Sequence, residues 1–198
     1  MTEMDPEAPI RAACGAQDWS RAATLVVELY GRELLEFLVA TARSEVDGAE
    51  AFSIFTEQLW TSLPKFRWAA SARTWCYTLA RRALARVRRD PHRKSDRAVA
   101  IDDAPVAAMV QKVRTDTLSY LRSAVKDRVV TLRDQLDPDD QALLILRIDR
   151  KLSWREVAMA FAEEEDEPLD PAELGRRSAA MRKRFERIKD ELRRMVGT

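Results

Sequence analysis

Arginine and the aromatic rings beside it carry most of the chemistry this sequence could perform. Residues 73–90, RTWCYTLARRALARVRRD, hold Arg73, Arg81, Arg82, Arg86, Arg88 and Arg89, and thread Trp75, Cys76, Tyr77 and Leu79 through the first half. A guanidinium is permanently charged and donates forked N–H bonds that match phosphate. The connector just upstream, KFRWAASA, adds Phe66 and Trp68. Arginines interleaved with aromatics are one way proteins hold single-stranded nucleic acid, with bases stacked on rings and guanidinium groups along the backbone. The plainer reading is a helix that serves as a core wall. Apolar spacing assigns Trp75, Leu79 and Leu84 to the core and the arginines to the wet side.

A second basic helix lies near the C-terminus. Ser178, Met181, Phe185, Ile188, Leu192 and Met195 form a four–three apolar stripe. Arg176, Arg177, Ala180 and Arg184 fall away from that stripe, while Arg182 and Lys183 flank it. Upstream, SWRE at 153–156 is a capping box that opens a helix burying Trp154, Val157, Ala158 and Phe161. A capped helix, a connector and a basic helix together have the form of a helix-turn-helix, whose second helix enters the major groove. Phosphate contacts would supply affinity there, and arginine on guanine would supply selectivity. A solvated basic face on a bundle helix fits this helix equally well.

Catalysis finds no support. The chain has five glycines, none spaced as a phosphate loop or dinucleotide turn. Its single histidine, His92, follows Pro91 in a basic stretch, and no Cys/His cluster has zinc-ligand spacing. The acidic run at 163–167 reads as solvated surface. No catalytic residue, metal ligand or cofactor is assigned, and the protein is expected not to be an enzyme.

These surfaces require a scaffold, and its signals are helical throughout, with no convincing period-two strand. The chain has 198 residues, 46% hydrophobic, enough to bury real cores. Lys+Arg number 34 against 33 Asp+Glu, so the net charge of +1 names no partner and only local segregation of charge can. Cys14 and Cys76 lack paired spacing and are expected as free thiols in a reducing compartment. The first residues lack a signal-peptide pattern, and no apolar run is long enough to span a membrane. A cytoplasmic location without membrane contact is the expectation.

An amphipathic helix is expected over 18–42, with Gly31 a break or bend. The pattern pauses at Asp47–Gly48, resumes through Phe52, Phe55 and Leu59, and closes at Leu63–Pro64. The arginine helix should stop before Pro91. Residues 91–113 have weak periodicity, whereas Leu118, Leu121, Val125, Val129, Leu132 and Leu136 recur at three and four. DPDD at 137–140 and DPAE at 170–173 start further helices. The expected fold is all-α: an N-terminal tail (1–17), a helical domain (18–90), a linker (91–114) and a helix-turn-helix domain (115–198).

LPKFRWAASARTWCYTLARR, set ahead of a charged linker and a helix-turn-helix with LSWREVA, resembles the extracytoplasmic-function (group IV) sigma factors. The first-domain matches are the Leu59–Trp60 pair, then Leu63, Pro64, Phe66, Arg73, Thr74, Trp75, Leu79, Ala80 and Arg81. Leu136, Leu143, Leu144, Leu146, Ser153, Glu156, Val157, Ala158 and the 171–195 helix match the second. The resemblance implies two small helical domains, region 2-like and region 4-like. It implies core RNA polymerase and promoter DNA as partners, with an anti-sigma factor as a further candidate. Glu50, Ser53, Glu57 and Trp60 would bind polymerase. Phe66, Trp68, Arg73, Arg81, Arg82, Arg86, Arg88 and Arg89 would meet the melted minus-ten strand. Arg176, Arg177, Ala180, Arg182, Lys183 and Arg184 would read the minus-thirty-five duplex. The family's acidic polymerase-binding helix is reduced here to DGAEAFSIFTEQLW, Arg82 replaces a frequent asparagine, and AEEEDEPLDPAEL lengthens the helix-turn-helix turn. Two rivals stay open: a sigma-like regulator that binds duplex DNA without polymerase, and a helical protein-interaction adaptor.

Overall fold

In the computed structural model, residues 5–89, 101–124, 135–162 and 170–196 are described. All regular structure among them is helical. The chain runs α1 (Ala8–Gly15), α2 (Trp19–Ala42), α3 (Glu45–Ser62), α4 (Ala72–Arg89), α5 (Ala104–Ala124), α6 (Pro138–Leu144), α7 (Trp154–Ala160) and α8 (Pro171–Val196). A 3-10 turn, Leu63–Lys65, follows α3, and a π-helical turn, Ile145–Asp149, extends α6.

The central helix is α2, against which α1, α3, α4, α5 and α6 all pack. Asp18 caps it by accepting from the Arg21 N–H at 3.0 Å. Leu34, Leu35, Phe37 and Leu38 are fully buried along it, and Phe37 meets the Tyr77 ring of α4 edge-on, centroids 5.3 Å apart. Gly31 does not break this helix. A Cβ there would lie 3.1 Å from Val113 Cγ1, so the glycine is a seat for α5.

The expected pause at Asp47–Gly48 is likewise inside a helix. Ser44 caps α3 by accepting from the Asp47 N–H at 3.1 Å, and Gly48 brings α3 against the α2 backbone. At the end of α3 the chain turns at Leu63, Pro64 and Lys65, in agreement with the closing role of the proline.

Two sequence assignments need correction. Residues 8–15, read as part of a tail, form α1, and its Ile10 is 1% exposed in the core. One apolar turn suffices for that, and the basic and acidic residues around it hide the signal. Residues 104–114, read as linker, form the first half of α5, with Val106 and Val110 buried and Val113 packed against the core. Val106, Val110, Val113 and Thr117 do keep a four–three–four spacing, and Asp103 accepts from the Val106 N–H at 3.1 Å to start the helix. The stripe is short-chained, so it reads weakly. Of the expected 118–136 helix, residues 118–124 belong to α5; residues 125–134 lie outside the described chain, as do 90–100.

The C-terminal start signals act as expected. Asp137 accepts from the Asp139 N–H at 2.9 Å with Pro138 in the first turn of α6. The capping box on α7 has both halves, Ser153 N–H to Glu156 Oε2 at 2.7 Å and Glu156 N–H to Ser153 Oγ at 3.3 Å. Ser153→Ala should therefore cost about 1 kcal/mol, measurable as a lower urea midpoint with an unchanged slope. The α8 stripe faces inward: Ile188 is buried and Met181, Phe185 and Leu192 pack against the core.

The two halves of the chain touch. Helix α6 packs on α2, and α7 packs on α4. Leu136, Leu143, Leu144, Leu146, Leu152 and Val157 join the same buried cluster as the α2–α4 side chains. Cys14 and Cys76 are both free thiols, and burial pushes the Cys76 thiol well above its ordinary range.

Candidate nucleic-acid interface

The arginine helix α4 is set in place at its N-terminus by residues that sequence reasoning did not single out. Ser71 Oγ accepts from the Thr74 N–H at 3.1 Å. The Glu7 carboxylate, 6% exposed, accepts from the N–H groups of Ala72 and Arg73, both at 3.0 Å, and from the Tyr30 hydroxyl at 2.8 Å. A carboxylate at that position satisfies orphan helix donors and complements the positive end of the helix dipole. Burial, reinforced by Glu7, pushes the Tyr30 phenol well up. No local pattern reveals Glu7, because its partners lie 23 to 66 positions away.

The buried face of α4 comprises Thr74, Cys76, Tyr77, Leu79, Ala80, Ala83 and Leu84. Leu79 and Leu84 thus lie where the spacing put them. Trp75 does not. It is half-buried and stacks on Phe66, ring centroids 4.3 Å apart and planes within 15°. Phe66 in turn touches Trp68, with centroids at 4.8 Å. These rings make a small aromatic shelf where the 66–71 connector folds back on the first turn of α4. Trp68 adopts φ 57°, and the Arg11 guanidinium lies 4.1 Å over its ring, a cation–π contact from α1. A cleft of about 610 Å³ opens beside the shelf, lined by Glu7, Arg11, Tyr30, Trp68, Ser71 and Arg73 among others.

Four of the α4 arginines are engaged within the chain. Arg73 makes a forked pair with Glu33 at 2.7 and 2.9 Å and also donates to the Arg150 carbonyl at 3.2 Å. Arg81 donates to the Ala160 carbonyl at 3.1 Å, pairs with Asp139 at 3.0 Å and lies 3.6 Å over the Phe161 ring. Arg82 donates to the Ala162 carbonyl at 3.2 Å. Arg88 donates to the Thr41 carbonyl at 3.0 Å. Arg89 is exposed and Arg86 half-buried. The wet side expected of these arginines is thus largely a seam with α7 and α2.

On α3, Glu50, Ser53, Glu57 and Trp60 share one stripe, and Glu50, Glu57 and Trp60 are half-buried. Ser53 is not open to a partner: it is 6% exposed, donates to the Ala49 carbonyl and accepts from Arg114 of α5 at 3.2 Å.

On α8, Arg176 and Arg177 share the Glu173 carboxylate, at 2.9 and 2.8 Å through their Nε atoms, and hold it below the usual carboxylate range. Arg176, Ala180, Lys183 and Arg187 are all exposed at helical spacing, and Arg182 is exposed beside them. Arg184 departs from the expected face: it pairs with Asp140 at 2.5 Å and Asp137 at 3.8 Å, tying α8 to the start of α6. Trp154, edge-on to Phe185 at 5.3 Å, is flanked by Arg147 at 4.8 Å and Arg182 at 6.0 Å. Arg147 escapes sequence reasoning because it sits within an apolar run whose π-helical turn shifts the face it presents.

What fold and surface define is an all-helical protein with two arginine-rich helices, α4 and α8. No helix among the described residues is long and apolar enough to cross a membrane. Compared with protein-family models, with curated proteins and with solved structures, the chain matches none.

Proposed function

We propose that this chain is a sigma factor of the group IV type, which directs core RNA polymerase to particular promoters and has no catalysis of its own. In this reading the residues up to α5 and those from α6 onward act as two units on promoter DNA. The α4 arginines and the Phe66–Trp68 connector take the melted minus-ten strand, α8 reads the minus-thirty-five duplex, and the α3 stripe meets polymerase.

The observation that carries the reading is the outer face of α8. Arg176, Ala180, Lys183 and Arg187 are exposed in one line, while Met181, Phe185 and Ile188 hold the opposite side against the capped helix α7. A basic outer helix buttressed by a short capped helix fits major-groove reading. Transcription by purified core polymerase on genomic fragments tests the function. Promoter-specific transcripts are expected, and their absence on every template would sink the reading.

A change in sequence preference tests the surface. Arg176→Ala with Arg177→Ala should relax selectivity by about 1–3 kcal/mol for each guanidinium that had paired with a base edge. Unchanged preference in a binding selection would remove α8 from the recognition role.

One observation favours the rival that binds duplex without polymerase. Ser53 is covered by Arg114, and Arg81 and Arg82 are engaged by the α7 end, while the α8 face stays open. Co-purification with core polymerase separates the two readings, and retention on polymerase supports the sigma reading.

A further inference from the structure

Resting on that reading of α4, we propose that the C-terminal half is an intramolecular occupant of the α4 surface, and that single-stranded polynucleotide and the closed form exclude one another. The groups that α4 meets across the seam have the chemistry of a strand. Arg81 and Arg82 donate to the carbonyls of Ala160 and Ala162, and Thr78 donates to the carbonyl of Met159 at 3.3 Å. The Ala160 and Ala162 carbonyls lie at the C-terminal end of α7, which carries the helix's partial negative charge, whereas the Met159 carbonyl also accepts from the Ala162 N–H at 3.0 Å. The Asp139 carboxylate adds a full negative charge on Arg81. The Arg81 guanidinium lies over the Phe161 ring, 3.6 Å from its centroid, where a base could stack. An acceptor row, an anion and a ring therefore occupy the surface assigned to phosphates and bases.

Further polar pairs cross between the halves beside the apolar cluster that they share. Arg150 pairs with Glu36 at 3.0 Å and donates to the Glu33 carbonyl at 3.2 Å. Arg43 donates to Gln141 at 3.3 Å and to the Leu136 carbonyl, and Gln141 donates to the Ala40 carbonyl at 3.2 Å. Phosphates are stronger acceptors for guanidinium than carbonyls, so a polynucleotide offers the arginines a better partner than the α7 end. A strand that binds only the open form then has its affinity lowered by the closed fraction.

The test uses the full chain, a labelled single-stranded DNA of mixed sequence, and amide exchange of residues 154–162. With saturating DNA, wild-type protein should lose protection over 154–162. Asp139→Asn combined with Phe161→Ala should loosen the same amides without DNA and bind the strand about tenfold tighter. Its salt dependence should steepen by about 0.7 for every further phosphate that the freed arginines neutralise. DNA bound to the wild type with full protection retained over 154–162 would overturn the proposal whatever the variant does. So would a loosened variant whose affinity and salt slope match wild type. Failure of the underlying reading looks different: neither form would bind the strand, and both inferences would fall together.

Discussion

Glu7→Ala should lower unfolding free energy by about 3–5 kcal/mol, the cost of leaving several buried donors without an acceptor. Three donors depend on this carboxylate: the Tyr30 hydroxyl and the N–H groups of Ala72 and Arg73. Tyr30 and Ala72 are buried, so water does not replace the lost acceptor without opening the site. Glu7→Gln keeps one acceptor oxygen and should recover about half of the loss. Asp5→Ala is the control, since Asp5 is exposed and its carboxylate accepts from the Glu7 N–H at 2.9 Å and pairs loosely with Arg11 at 3.8 Å. Chemical denaturation reads all three. Equal midpoints for Glu7→Ala and wild type would show that α4 does not depend on this anchor. The effect should extend to nucleic-acid binding, because Glu7 fixes the end of the helix that carries the arginines and the aromatic shelf.

Two glycine-to-alanine changes should act in opposite directions. Gly48→Ala adds about 1 kcal/mol of helix propensity. Its new Cβ would nevertheless lie 2.6 Å from Val39 Cα and 2.8 Å from Val39 N, which are backbone atoms of α2 and cannot rotate aside. Helices α2 and α3 must then move apart, at the expense of the Phe52 and Phe55 packing that holds them. Overpacking of this kind costs about 1–3 kcal/mol or more, so a net loss of about 2 kcal/mol is expected. Gly175→Ala meets nothing within 4 Å on α8 and should stabilise by about 0.5–1 kcal/mol. Thermal melts of the pair settle the matter. A stabilised Gly48→Ala protein would mean that the two helices do not cross backbone to backbone.

Helical periodicity and capping chemistry are legible in the sequence because they are local. Asp18, Asp137 and Ser153 accept from N–H groups two or three residues on, so side-chain type and spacing suffice to locate them, whereas the equally local Ser44 cap is obscured by the weak pattern around Gly48. The stripe on α8 and the burial of Leu79 and Leu84 follow in the same way from a period of 3.6. Weak stripes escape such reading. Helix α1 offers one buried turn and α5 presents valines and a threonine, too little apolar bulk to stand out from polar neighbours.

The candidate surfaces divide along the same line. Sequence alone puts arginines on two helices and aromatics before one of them, because those are matters of composition and order. Which arginines face outward depends on long-range partners. Arg184 turns to Asp140, and Arg81 to Asp139 and Ala160, because carboxylates and helix-end carbonyls from distant segments arrive there. Trp75 sits at the edge of the core and stacks on Phe66 because the connector folds back across it. From the sequence by itself come an all-helical chain, four of its helix starts and its two basic helices, since each is encoded within a few turns. Only the tertiary structure decides that Glu7 anchors α4, that Gly48 is a crossing point and that the α4 arginines meet α7, since each rests on atoms that chain distance separates and packing brings together.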